Sequence, residues 1–195
     1  MVHSHSPVGI QLIPLEARNQ LLNNAYKDGG KYLNLGCGKE YYDDAGWVNL
    51  DGDPNIKCDV VFDLDQKNIT LPFKDSSFDI VWASHIFEHI WYLRDLKLDI
   101  TRILKPGGQL TFIVPYYKFP DAWGDDTHCR AFSESSLLGY LWPGLDVGTY
   151  GYMPTINQDA DGKPHQEYWL WASKPKLVYG SILGYITNVT SGTCT

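Results

Sequence analysis

No pair of cysteines in the sequence has a useful spacing. Cys37, Cys58, Cys129 and Cys194 are scattered. Neither a zinc knuckle nor a disulfide framework is expected, and reduced thiols in a cytoplasmic protein are the default. No apolar run approaches a membrane span, so no membrane association is expected. The opening residues, MVHSHSPVGIQLIPLEARNQ, lack the charged stretch and long apolar run of a signal peptide. In that setting the N-x-T sequons at Asn68 and Asn188 are chance matches. An excess of basic charge is missing too. The formal net charge is -7, which makes a nucleic-acid partner unlikely, because phosphates call for a basic face. No internal repeat or low-complexity linker interrupts the chain.

What is present suits one folded domain. The chain has 195 residues, 44% hydrophobic and 20% charged, enough apolar material for a core. Seven Trp and 13 Tyr serve core filling or a stacking pocket for a flat or sugar-like substrate. Residues 11–28 read as a helix that Gly29-Gly30 ends. Short strands follow at Lys31–Leu35, Trp47–Leu50, Cys58–Phe62 and Phe78–Ser84. Leu93, Leu96, Ile100, Ile103 and Leu104 have helical spacing, and Pro106-Gly107-Gly108 stops that helix. Gln109–Val114 is a fifth strand, Ser133–Leu141 a short helix, and Gln166–Ala172 and Lys176–Tyr179 are further strand candidates. Strands that alternate with helix and end in acidic residues or glycine predict an open α/β sheet. Such a sheet binds ligands beyond the carboxyl ends of its strands.

The residues at those ends have a chemistry in common. Gly36-Cys37-Gly38 follows the first strand, and a glycine turn lets a ligand approach the backbone closely. Asp51 ends the second strand, where a carboxylate can accept both hydrogen bonds of a ribose diol. Asp63 ends the third and can accept from an exocyclic amine such as that of adenine. Three more strings follow in order: Leu71-Pro72-Phe73-Lys74-Asp75-Ser76-Ser77-Phe78-Asp79, then His85-Ile86-Phe87-Glu88-His89-Ile90, then Leu104-Lys105-Pro106-Gly107-Gly108. Together with Leu35-Gly36-Cys37-Gly38, this ordered set over residues 31–116 resembles the class I S-adenosylmethionine-dependent methyltransferases, of the compact type 11 kind. The stretch near Asp126-Thr127-His128 resembles them more weakly.

The resemblance implies a Rossmann-like, mostly parallel sheet with an antiparallel C-terminal strand, and S-adenosyl-L-methionine as cofactor. It implies that Gly36, Cys37 and Gly38 contact the methionine part, that Asp51 holds the ribose, that Asp63 and Leu64 border the adenine, and that Ser84 and His85 face the sulfonium. The chain then divides into an N-terminal helical segment (1–30), a cofactor-binding core (31–116), and a substrate loop with C-terminal strands (117–195), all in one domain. Two departures stand out. Asn34 occupies a position where the family usually has Asp or Glu, and an amide cannot pair with an ammonium as a charge. In addition, Lys39 to Ala45 leave room for about two helical turns at most, whereas a parallel crossover usually takes about a dozen residues. Helices after the first and second strands are therefore reduced. The bare sheet face should be covered by the N-terminal helix, the C-terminal segment or a second subunit in a homodimer.

Methyl transfer asks the protein to position a nucleophile and exclude water. A base helps when the nucleophile is an oxygen or nitrogen, and histidine has a suitable pKa. His85 at the mouth of the fourth strand and His128 in the following loop are the candidates, with Asp126 placed to orient His128. Val114-Pro115-Tyr116-Tyr117 and Trp123 are candidate pocket walls, while Glu88 and His89 are expected to cap or pack the next helix. His85-x-x-Glu88-His89 also spells an inverted zinc-peptidase motif. That motif needs a single helix and a downstream ligand, so no metal is expected here. The Asp/Asn-Pro-Pro-Tyr/Phe string of enzymes that methylate flipped bases is missing. The expected substrate is a small molecule, a sugar or a nucleotide metabolite. The competing reading is a non-catalytic binding or scaffold module.

Overall fold

The computed structural model describes residues 29–115, 117–118, 120–133 and 136, together with the backbones of two strands at 146–158 and 164–173. The elements are β1 (Tyr32–Leu35), β2 (Trp47–Asp51), β3 (Val60–Val61), β4 (Phe78–Ser84), a 3-10 turn (Phe87–His89), α1 (Leu93–Ile103), β5 (Leu104–Pro115), the short α2 (Asp121–Gly124), β6 (Asp146–Gln158) and β7 (Pro164–Ser173). The expected helices at 11–28 and over most of Ser133–Leu141, and the strand candidate Lys176–Tyr179, lie outside the described residues. No described helix is long and apolar enough to cross a membrane.

The strands form one sheet in the order β3-β2-β1-β4-β5-β7-β6. β1 through β5 pair in parallel, whereas β7 runs antiparallel to both β5 and β6. The chain reverses its direction of travel across the sheet between β1 and β4. In open α/β sheets a ligand crevice opens at that switch point, beyond the carboxyl ends of the two strands.

Register divides the side chains into two layers. Leu33, Leu35, Leu50, Val81, Ala83, Leu110, Phe112 and Val114 share one face and join one apolar core with α1. Helix α1 contributes Leu93, Leu96, Ile100 and Ile103, each at most 2% exposed, which is the single stripe expected of an amphipathic helix. Leu64, Ile69 and Leu71 from the β3–β4 connection join the same core. Tyr32, Asn34, Trp47, Asn49, Trp82, Gln109 and Thr111 occupy the opposite face. They are also buried, although several are polar.

No helix forms in 36–46 or 52–59, so both links are short, as their lengths required. The 36–46 link instead folds over the polar face. The Asn34 side-chain amide donates to the Glu40 carbonyl (2.6 Å) and to Asn49 Oδ1 (3.1 Å). Asn49 also exchanges hydrogen bonds with the Tyr42 backbone, at 2.9 and 2.8 Å. Tyr42 packs edge-on against Trp47, and Tyr32 also lies against that indole. Asn34 is thus 2% exposed and spent inside the fold. A carboxylate there could not donate to Glu40.

Two boundaries differ from expectation. β3 has only two residues, not the five of Cys58–Phe62, because only Leu50 and Asp51 offer it partners. β5 begins at Leu104, so Pro106-Gly107-Gly108 forms an irregularity within the strand where the register against β4 shifts. A Cβ on Gly108 would approach the Lys105 carbonyl to 2.8 Å and that of Phe78 to 3.1 Å, so only glycine fits there.

Candidate functional site

The site is built at the carboxyl ends of β1, β2 and β4. Gly36 and Gly38 take φ values of 68° and 51°, a region that other residues enter only at a cost. A Cβ on Gly36 would press on Ile86 at 2.5 Å, whereas one on Gly38 would meet nothing within 4 Å. The turn is therefore closed toward the core and open on its outer side, as a cradle for a ligand requires. Its amides are oriented by β2: the N–H groups of Gly36 and Cys37 both donate to the Leu50 carbonyl at 2.9 Å.

Asp51 is 6% exposed. Its Oδ2 accepts from the Gly38 amide at 2.8 Å and its Oδ1 from the Asp53 amide at 2.9 Å. Each carboxylate oxygen keeps a second lone pair and can accept one further hydrogen bond. Leu64 is buried and Asp63 is exposed, with Asp63 Oδ1 accepting from the Asp65 amide at 3.0 Å. Cys37 lies in the turn as a neutral thiol. Burial first, then the nearby Asp51 carboxylate, push its pKa up to about 12, which leaves it without the thiolate a nucleophile needs.

Ser84 closes β4, and His85 follows at φ 52°. Such a conformation in a non-glycine residue costs about 1–3 kcal/mol and clusters at functional sites. The His85 amide still donates to Ile113 of β5 at 3.0 Å, which holds the residue at the strand mouth. His85 Nδ1 lies 3.3 Å from Glu88 Oε1. His85 precedes the 3-10 turn, so the His85-x-x-Glu88-His89 string does not share one helix as a peptidase motif would.

Two expectations are corrected at the loop after α2. The carboxylate beside His128 is Asp125, with Oδ2 3.8 Å from His128 Nε2, while Asp126 is exposed. The reason is local. Asp125 Oδ1 caps its own turn by accepting from the Thr127 amide and hydroxyl, and the His128 amide donates to the Asp125 carbonyl at 3.1 Å. Burial alone would raise the Asp125 pKa, but the Thr127 bonds and the nearby His128 outweigh it and hold the carboxyl below its usual range. Nor do Glu88 and His89 cap α1, whose start receives no side-chain cap hydrogen bond. They face this loop, which is stitched down by the Cys129 amide on the Glu88 carbonyl (2.9 Å) and by Arg130 on the carbonyls of Ile90 and Trp91.

The rings of His89 and His128 meet edge-to-face, with centroids 4.7 Å apart. Burial lowers the His89 pKa, with the Glu88 carboxylate opposing, which favours the uncharged ring. Only the i,i+3 spacing of Asp125 and His128 was readable in the sequence. Nothing in it marks that residues 88–89 meet residue 128. Trp123 is 68% exposed and its indole donates to the Tyr117 carbonyl at 2.6 Å, so both lie beside this loop.

The remaining motif residues bind the fold together at the opposite end of the sheet. Asp79 accepts from the Lys31 amide (3.0 Å) and from Lys105 Nζ (2.6 Å). Arg102 reaches Asp99, Asp75 and the carbonyls of Leu71 and Phe73, and Asp99 accepts from the Leu71 amide at 2.7 Å.

Comparison with known proteins agrees with this geometry. Residues 47–112 match the model of the methyltransferase domain family. An uncharacterized protein of Methanocaldococcus jannaschii is 34% identical over 106 residues, which is 48% of this chain and 45% of that protein. The chain therefore spans about half the length of this relative. A chain from the complex between the Haloferax volcanii Trm112 methyltransferase activator and a methyltransferase superposes with a TM-score of 0.64, at 21% identity, over 81% of this chain and 88% of its own. An S-adenosylmethionine-dependent methyltransferase of Archaeoglobus fulgidus gives 0.60 at 16% identity, over 82% and 93%.

The class that the fold defines is a Rossmann-like α/β domain. The fold is shared with S-adenosylmethionine-dependent methyltransferases of known structure, and residues 47–112 match the methyltransferase domain family.

Proposed function

We propose that the chain transfers the methyl group of S-adenosylmethionine to an oxygen or nitrogen of a small molecule, a sugar or a nucleotide metabolite. The observation that supports this most is the convergence of an open glycine turn, the Asp51 carboxylate and the strained His85 at one switch point. On this reading Gly36, Cys37 and Gly38 border the methionine part and Asp51 holds the ribose hydroxyls. Asp63 and Leu64 border the adenine, while Ser84 and His85 face the sulfonium. Residues 117–133 form the acceptor side, within a single domain over 1–195.

The cofactor supplies an electrophilic methyl group. The protein orients the acceptor, keeps water out and takes up a proton where the acceptor loses one. His85, with its Nδ1 3.3 Å from the buried Glu88 carboxylate, has the arrangement of a base oriented by an acid. His128, beside Asp125, is the second candidate.

Calorimetric titration with S-adenosylmethionine tests the cofactor assignment. Losing two hydrogen bonds to a charged group, each worth about 1.5–3 kcal/mol, should weaken binding by at least about 100-fold in Asp51→Ala. Circular dichroism checks that the variant is folded. Folded wild-type protein that binds no cofactor would sink the enzyme reading and favour the scaffold alternative. Tritium transfer from labelled cofactor into metabolite pools then identifies the acceptor class.

A further inference from the structure

Glu88, His89 and His128 form a cluster that methyl transfer, as described above, does not use as a unit. We propose that these three side chains bind one divalent transition-metal ion beside the mouth of β4. One ligand atom from each lies within 4.8 Å of the others. A tetrahedron with bonds of about 2.1 Å has edges of about 3.4 Å, so the ligand atoms need to close by at most about 1.4 Å.

Three further observations point the same way. First, Glu88 is 1% exposed, and among the described residues its carboxylate accepts no hydrogen bond, the His85 ring at 3.3 Å from Oε1 being its ion-pair neighbour. A buried carboxylate in that condition is costly unless a cation or strong donor meets it.

Second, the tautomer of His89 is set. The Thr127 hydroxyl donates its one proton to Asp125 at 2.6 Å, so at 2.9 Å from His89 Nδ1 its oxygen accepts. The proton of His89 is then on Nδ1 and the lone pair on Nε2.

Third, His128 Nδ1 lies 3.4 Å from the Ala122 carbonyl, which only accepts; the tautomer that donates there carries its lone pair on Nε2, with Asp125 Oδ2 3.8 Å away. Both imidazoles thus have the outer-shell arrangement that metal-binding histidines use, one ring N–H held by the protein and the other nitrogen available. Two imidazoles and one carboxylate favour zinc, cobalt or manganese over magnesium or calcium, which prefer all-oxygen sets. The neighbouring Cys129 thiol is turned toward the Glu88 carbonyl at 3.2 Å, so the ligand set is nitrogen and oxygen without sulfur.

The ion also decides between the two candidate bases. His128 becomes a ligand and His85 is left to take the proton; that consequence rests on the methyltransferase reading, whereas metal binding does not.

The full chain, stripped with chelator and returned to chelator-free buffer, is titrated with Co²⁺ and separately with Zn²⁺, without cofactor. One equivalent is expected to bind. His89→Gln and His128→Ala should each weaken it by at least about ten-fold, and the cobalt spectrum should show no thiolate charge-transfer band. Glu88→Gln removes a buried group, so its melting curve is recorded and the less buried His128→Ala carries the decision. No uptake by folded wild-type protein, unchanged affinity in folded His128→Ala, or a thiolate band would each overturn the proposal. A cofactor titration of the same metal-free protein separates the two ideas. Cofactor binding without metal uptake removes only the ion, and the reverse removes only the methyltransferase reading.

Discussion

The two faces of this sheet are buried to a similar depth by different physics. One face carries Leu33, Leu35, Leu50, Val81, Ala83, Leu110 and Phe112 under helix α1. The other carries Tyr32, Asn34, Trp47, Asn49, Gln109 and Thr111, and where it borders the 36–46 link it meets a loop, not a helix. A helix satisfies its own backbone and presents an apolar stripe, so the strands beneath it can be aliphatic. A loop brings unsatisfied N–H and C=O groups to the sheet, and these need polar partners when buried. Asn34 and Asn49 supply them. The trimmed link and the buried amides are one adaptation, and the polar face ends in Asp51 and Ser84 at the ligand end.

The largest expected effect is on the aliphatic face. Phe112 is fully buried and stacked edge-on against Phe87, with centroids 5.0 Å apart. Phe112→Ala should cost about 3–5 kcal/mol in urea or guanidinium unfolding. A cost near 1 kcal/mol would mean this face is loosely packed and the contrast overstated.

Asn49→Leu tests the polar face. It keeps the volume similar but strands the Asn34 amide, the Tyr42 backbone and one partner of Asp59. A loss of about 2–4 kcal/mol is expected, measured the same way. If Asn49→Leu is neutral, that layer is held by apolar contact alone.

The smallest effect concerns Lys97 of α1, which is 3% exposed. Burial, and then the nearby Arg130 charge, bring its pKa down to about 7. Below pH 7 it is charged in both folded and unfolded chains, and the penalty is present in full. Between about pH 7 and its ordinary value of 10.5 the unfolded chain holds a proton that the folded chain has released, so stability rises with pH. Lys97→Met should flatten that rise and raise the unfolding free energy at pH 7 by about 1–2 kcal/mol. Thermal melts across pH 6–10 on both proteins read it out; an unchanged slope in the variant would assign the pH dependence to another group.

Part of this was legible in the chain. The alternation of Leu33 and Leu35 with Asn34, the apolar spacing in α1, and the glycines beside Asp51 are all local patterns, and local patterns carry strand, helix and turn. The lengths of the links already implied missing helices. What filled the gap was not legible, because the amide of Asn34 finds Asn49 only once β1 and β2 are in register. The choice of Asp125 over Asp126 was also hidden, since a turn of the backbone decides it.

The sequence by itself determined the order of elements, the ligand end of the sheet and the residues facing it. Spacing and residue type do that work before any long-range contact forms. The tertiary structure decided which acids lie at the open carboxyl end of the sheet and which fasten the fold. Asp51 and Asp79 look alike in sequence, yet one lies at the open carboxyl end and the other is tied to Lys105 across 26 residues. It alone also brought His128 to Glu88 and His89. That meeting depends on the packing of the 125–130 loop against the turn after β4, which spacing along the chain does not encode.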